Sequence, residues 1–110
     1  MSEYLFSYGT LQKAEVQLRL FGRLLNGTSD TLTGYQTCEV EITDEAFLKN
    51  GEHSVQLTAM PSADGMIEGN VFEVSSEELA IADTYEPSEY SRVGVTLESG
   101  TKAWVYLKAD

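Results

Sequence analysis

Phe6-Ser7-Tyr8-Gly9-Thr10-Leu11-Gln12 is the stretch on which the fold turns. Ahead of it, Tyr4, Leu5 and Phe6 form an apolar, β-favouring run that predicts a first strand. Gly9 permits a backbone turn that a side chain would obstruct. Thr10 is of the type that caps the N-terminus of a helix. A strand, a Gly turn and a helix start in succession expose several backbone N–H groups at one point, which suits an anionic group or a developing oxyanion. The same residues also describe an ordinary strand-to-helix turn, and both readings stay open at this point.

Downstream, Leu11, Ala14, Leu18, Phe21 and Leu25 recur at spacings of three and four and predict one apolar helix face. Gly22 ends or interrupts this helix, and Arg19 and Arg23 suit the negative pole at its C-terminal end. Asn26-Gly27 and Asp30 predict a turn. Cys38, Val40 and Ile42 then alternate with Thr37, Glu39 and Glu41, the pattern of a strand with one wet face. Gly34 is placed for a bulge or a close approach. Residues 44–51 predict a short helical or looped excursion closed by Lys49-Asn50-Gly51. Val55, Leu57 and Ala59 predict another strand, ended by a turn at Pro61 and Asp64-Gly65.

Residues 66–74 read as a more fully buried strand with Gly69 inside it. Ser75 and Glu78 form a capping box at the start of a second helix. Leu79, Ala82 and Tyr85 share one face of that helix, and Pro87 stops it. Val93, Val95 and Leu97 align on one face of a strand over 90–97, and Ser99-Gly100 predicts a two-residue hairpin turn. Ala103, Val105 and Leu107 return on a last strand with Trp104 and Tyr106 opposite, so both of its faces are apolar or aromatic and it is central or lies inside a barrel. With about six strands and two helices joined mainly by turns, the expected class is α+β, with a strongly curved, mostly antiparallel sheet that is open or closed into a small barrel.

The chain has 110 residues, enough for one domain over 1–110 and too few for two ordinary ones. Its 42% hydrophobic content can build a packed core and argues against disorder. Eighteen acidic residues against seven basic ones give a net charge of −11, which repels phosphate backbones and anionic lipid surfaces. No nucleic acid or membrane partner is therefore expected, and solubility is the plainest use of the charge.

Cys38 is the only cysteine, which rules out an intrachain disulfide and favours a cytoplasmic protein. On the apolar side of its strand it reads as a small core residue. His53 is the only histidine and reads as a surface residue; with no His/Cys cluster, no metal site is expected. No basic region followed by an apolar stretch marks a secretory leader, and no apolar run approaches the roughly 20 residues of a membrane helix.

Asp83-Thr84-Tyr85-Glu86-Pro87-Ser88-Glu89-Tyr90-Ser91-Arg92 is the second dense stretch, where the capped helix ends and a strand begins. Such a junction holds side chains on rigid elements and leaves them accessible. Alone, it also reads as a solvated helix end whose Arg92 pairs with a neighbouring acid.

Together, the Tyr8-Gly9-Thr10-Leu11 turn and the Asp83-x-Tyr85-Glu86-x-x-x-Tyr90-x-Arg92 segment resemble the γ-glutamyl cyclotransferase family, including its AIG2-like branch. The resemblance extends over nearly the whole chain, residues 69–74 and 99–107 looking like the family's strand before the late helix and its closing hairpin. It implies a small β-barrel with flanking helices. It makes Tyr8, Gly9, Thr10 and Leu11 the substrate loop and Glu86 the catalytic acid/base, with Tyr90 and Arg92 beside the pocket. The implied reaction closes a γ-glutamyl amine or amino acid to 5-oxoproline without a cofactor, so the implied partner is a small γ-glutamyl compound. Two positions depart from the family pattern: Pro87 stands where Gly is usual, and Gln12-Lys13-Ala14 replaces a basic-then-Gly ending. A non-catalytic metabolite-binding domain and an acidic interaction domain remain the alternatives.

Overall fold

The computed structural model describes residues 2–49 and 51–108. In chain order they form strand β1 (Ser2–Ser7), a 3-10 turn (Thr10–Gln12), helix α1 (Ala14–Phe21), strand β2 (Asn26–Glu41), helix α2 (Glu45–Lys49), strand β3 (Val55–Ser75), helix α3 (Ser76–Tyr85), and strands β4 (Tyr90–Thr96) and β5 (Lys102–Lys108). The sheet order is β2-β3-β1-β5-β4. Every neighbouring pair is antiparallel except β1 and β5, which run parallel with Leu5 opposite Trp104.

The α+β class and the mostly antiparallel sheet agree with the sequence, but the sheet is not a closed barrel. Strands β2 and β4 are its two edges and share no ladder. Isolated bonds cross near this gap: the Glu98 N–H, just past β4, bonds the Thr31 carbonyl of β2 at 2.8 Å, and the Tyr90 hydroxyl of β4 bonds the Leu57 carbonyl of β3 at 2.6 Å.

Fewer strands form than expected because two predicted turns lie inside strands. Asn26-Gly27 and Asp30 are in β2, paired with Glu73, Phe72 and Gly69 of β3. At Pro61 and Asp64-Gly65 the chain does not end its strand. The register jumps from Thr33 opposite Met66 to Tyr35 opposite Pro61, so the expected turn survives as an irregularity across from Gly34. Gly34 has φ +85°, a conformation glycine adopts at no steric cost. Asn50, within the expected Lys49-Asn50-Gly51 turn, lies outside the described residues.

The first helix is shifted in phase. Lys13 is extended (ψ 132°), which separates Leu11 in the 3-10 turn from α1. Val16 and Gln17 face inward, whereas Ala14 and Leu18 are exposed. Buried Gln17 donates to the Leu11 carbonyl at 2.8 Å and accepts from the Leu25 N–H at 3.0 Å, pinning both ends of the helix. Gly22 ends α1 in the left-handed region, as expected. The capping box forms, with Ser75 and Glu78 each bonding the other's backbone N–H, and Leu79, Ala82 and Tyr85 are the buried face of α3.

Alternation along β1 and β5 divides the interior in two. Leu5, Phe72, Val74 and Tyr106 pack with Leu11, Val16, Phe47, Leu79, Ala82 and Tyr85 beneath the helices. Phe6, Val71, Ala103 and Val105 join Leu32, Ala59, Ile67 and Leu97 in a second cluster with no helical member, enclosed by the curled sheet itself. The β4–β5 hairpin turns through Glu98, Ser99 and Gly100, one residue more than expected, because the Leu97 N–H bonds the Thr101 carbonyl.

Close approach at Gly69 joins β3 to the end of β1. A Cβ there would strike the Ser7 carbonyl and lie 2.9 Å from Phe6 Cζ. Gly69→Ala should therefore cost about 1–3 kcal/mol in urea unfolding. Gly94→Ala, whose Cβ would meet only Trp104 Cζ3 at 4.0 Å, should stay within about 0.5 kcal/mol of wild type.

Candidate active site

The end of β1 runs into the turn that the sequence singles out. The Gln12 N–H bonds the Gly9 carbonyl at 3.2 Å, and the Gln12 side chain bonds it again at 3.3 Å. Asn70 of β3 holds the other end of that amide at 2.7 Å. Thr10 caps nothing, contrary to the sequence reading: neither the 3-10 turn nor α1 has a side-chain cap, and its hydroxyl instead meets the Tyr85 hydroxyl at 2.8 Å. Residue 9 is not in the left-handed region that favours glycine. Its φ is −132°, and a Cβ would have nothing within 4 Å. What Gly9 leaves is open space on the wall of a cavity.

That cavity measures about 390 Å³. Tyr8, Gly9, Thr10 and Leu11 line it from the turn, Glu86, Pro87 and Tyr90 from the chain after α3, and Tyr106 from β5. The structure thus brings together all the residues singled out by sequence except Arg92. The Arg92 guanidinium lies outside the cavity, 4.4 Å over the Trp104 ring, and forks onto Asp83 at 2.9 and 3.1 Å. Asp83 also accepts from the Tyr106 hydroxyl at 2.6 Å. Arg92 is therefore tied to the site through Asp83, one turn before Glu86, and not by lining it.

Glu86 is held where α3 stops. The residue before proline is pushed out of the helical region, and Glu86 has ψ 149° while its N–H still bonds the Ala82 carbonyl at 3.0 Å. Two carboxylates fasten the following loop to the α2 corner: Asp44 accepts from the Ser88 N–H at 2.7 Å, and Glu89 from the Thr43 N–H at 2.8 Å. Glu89 is thus a tether between this loop and Thr43.

Burial, and secondarily the nearby Glu52 charge, push the Glu86 carboxyl up to about 8. Four phenols stand around it, yet their hydroxyls have other partners: Tyr8 the Tyr106 carbonyl at 2.8 Å, Tyr85 Thr10, Tyr90 the Leu57 carbonyl, and Tyr106 Asp83. No hydrogen bond among the described residues stabilises the charged carboxylate. Burial raises all four phenols above their ordinary value, with the Glu86 charge contributing to each.

The sequence reading missed the opposite wall. Phe47 of α2, Glu39 of β2 and His53, Val55, Gln56 and Leu57 around the start of β3 complete the cavity, with Lys13 beside the turn. His53 is exposed, as expected, but it borders the site. Among the described residues no group of three or more His, Cys, Asp or Glu side chains could hold a metal. No helix among them is long and apolar enough to cross a membrane.

The class is thus an α+β protein whose five-stranded sheet carries one cavity shared by a strand-end turn and a buried carboxyl. Residues 5–110 match the model of the family described as Gamma-glutamyl cyclotransferase, AIG2-like, and the chain belongs to that family. A solution structure from Arabidopsis thaliana is similar, with 26% identity and TM-score 0.74, over 99% of this chain and 72% of the other. A structure titled "Gamma-glutamyl cyclotransferase" shares the fold at 15% identity and TM-score 0.76, over 100% and 68% of the two chains. An uncharacterized Homo sapiens protein does so at 16% identity and TM-score 0.78, over 99% and 68%. No curated protein matches the chain significantly.

The raised carboxyl has a stability signature. Folded Glu86 keeps its proton up to about 8, whereas an unfolded one releases it near 4.5. Folding is therefore opposed progressively as pH rises across that window. Glu86→Gln should remove this slope, so the variant's thermal midpoint should gain on wild type between pH 5 and pH 8. A constant difference across that range would show a carboxyl with an ordinary pKa.

Proposed function

We propose that the protein is a γ-glutamyl cyclotransferase that releases 5-oxoproline from a γ-glutamyl amine or amino acid, with Glu86 as general acid/base. The observation that carries this reading is the single cavity shared by Glu86 and the Tyr8–Leu11 turn, although 74 residues of chain lie between Leu11 and Pro87's predecessor. Family membership supports it independently. The free thiol of Cys38 is in keeping with a reducing, cytoplasmic setting.

The reaction needs no enzyme nucleophile, because both reacting groups belong to the substrate. The α-amine attacks the γ-carbonyl carbon, a C–N bond forms, and the carbonyl π electrons move onto oxygen. Collapse of this intermediate restores the carbonyl and breaks the bond to the leaving nitrogen. Folding the substrate into the cavity supplies the proximity such a ring closure requires. Glu86 takes the proton from the attacking amine and delivers one to the leaving nitrogen, so no net proton is consumed. A carboxyl near 8 suits both halves of this shuttle.

The Thr10 and Leu11 amides, which have no acceptor among the described residues, are the donors for the oxyanion. Tyr8, Gly9, Thr10 and Leu11 hold the γ-glutamyl group, and Tyr90 walls the cavity beside it. Arg92 positions the end of α3 through Asp83 and does not touch substrate.

Three outcomes test the reading. Incubation with a panel of γ-glutamyl amines and amino acids should release 5-oxoproline, detected by mass spectrometry. Glu86→Gln should lower turnover by about 10²–10⁴, while Glu89→Gln should keep near-normal turnover in any folded sample. Binding of 5-oxoproline without turnover of any substrate would instead mark a metabolite-binding domain. The wild-type kcat/KM should rise with pH toward a limb near 8, because the base form of Glu86 is needed first.

Gly9→Val should remove 5-oxoproline binding with little change in thermal midpoint, since its side chain would enter open space on the cavity wall. Unchanged affinity in the folded variant would make the turn purely structural.

A further inference from the structure

We infer that Lys13 holds the α-carboxylate of the γ-glutamyl group, so that the site prefers ligands carrying this carboxylate to the same ring without it. The inference rests on the cyclotransferase reading and adds to it a recognition residue that the turn motif does not contain.

The argument begins with charge. The chain carries −11, and a carboxylate entering the cavity also meets Glu39 and Glu86 on its walls. A free anion would be repelled without a local cation. Of the residues lining the cavity, Lys13 is the only Lys or Arg. The arginines serve elsewhere: Arg19 bonds Glu52, Arg23 bonds Glu78, and Arg92 bonds Asp83. Lys13 takes part in no ion pair among the described residues, and its side chain is exposed.

Its backbone is fixed even though its side chain makes no ion pair among the described residues. The Lys13 N–H bonds the Thr10 carbonyl at 3.0 Å, and its carbonyl accepts the Gln17 N–H at 3.1 Å. The extended Lys13 conformation that separates the 3-10 turn from α1 also puts this cation beside the residues that hold the γ-glutamyl group. Gln12, its neighbour, cannot take the role: its amide is engaged with Gly9 and Asn70 and carries no charge. In the substrate, the α-carboxylate and the α-amine share one carbon. A cation that fixes the carboxylate therefore also orients the amine served by Glu86.

The test compares two ligands that differ only in the group concerned. 5-Oxoproline carries the carboxylate, and 2-pyrrolidinone is the same ring without it. Affinities are measured by calorimetry or ligand-observed NMR for wild type, Lys13→Met, Lys13→Arg and His53→Gln.

Wild type should prefer 5-oxoproline. Lys13→Met should weaken 5-oxoproline about 10-fold and change 2-pyrrolidinone less than about 2-fold, with Lys13→Arg restoring most of the loss. Exposure of Lys13 makes fold failure improbable as a cause, and unchanged 2-pyrrolidinone binding checks it directly. Equal loss for both ligands, or no loss for either, would overturn the role of Lys13 and leave the cyclotransferase reading standing. Loss of 5-oxoproline selectivity in His53→Gln but not in Lys13→Met would assign the carboxylate to His53 and overturn the proposal. Failure of wild type to bind 5-oxoproline at all would overturn the proposal together with the reading beneath it.

Discussion

The parallel pairing of β1 with β5 is the constraint on which the site depends. With Leu5 opposite Trp104, both strands run toward the same end of the sheet. The last residues of β1 therefore emerge beside Tyr106 and Leu107, where the Tyr8 hydroxyl bonds the Tyr106 carbonyl. An antiparallel pair would have sent the turn after β1 to the opposite end. Both strands are buried on both faces, Leu5 and Tyr106 under the helices and Phe6 and Val105 within the curled sheet. Sliding either strand by one residue would exchange these two apolar sets, so the register is strongly fixed.

Around this fixed end, the remaining elements confine one carboxyl. Helix α3 delivers Glu86, Pro87 ends the helix there, and Asp44 and Glu89 pin the next residues to the α2 corner. The Arg92–Asp83 fork is partly exposed, so its contribution to stability is small, about 0–1 kcal/mol. Its consequence is geometric: it ties the last turn of α3 to β4 and, through the Tyr106 hydroxyl, to β5. Because the surrounding phenols donate to or share hydrogen bonds with other partners, none stabilises the charged carboxylate, and burial with the nearby Glu52 charge raises it to about 8. A carboxyl raised in this way by burial has the kind of perturbed pKa that clusters at functional sites.

Local patterns in the sequence determined much of this. The capping box at Ser75 and Glu78, the buried face Leu79, Ala82 and Tyr85, the stop at Pro87 and the two-faced last strand all follow from interactions within a few residues or from strand alternation, and all are present. The turn at residues 8–11 and Glu86 were also legible, each at an element junction. Tertiary contacts decided what local rules could not. Pairing with β3 pulled Asn26-Gly27 and Asp30 into a strand, and the extended Lys13 displaced the helix phase counted from Leu11. Thr10 had two uses open to its hydroxyl, a local cap or a distant partner, and Tyr85, 75 residues away, took it. Arg92 had the right residue type for a pocket, but its orientation depends on Trp104 across a strand pair and Asp83 on a helix. The far wall of the cavity comes from where the β2–β3 hairpin leans, and no spacing in a single segment encodes that. The sequence alone thus determined which side chains stand at the junctions; only the three-dimensional pairing of strands distant in the chain decided which junctions meet, because that choice is made by burying two opposite faces of one sheet at once.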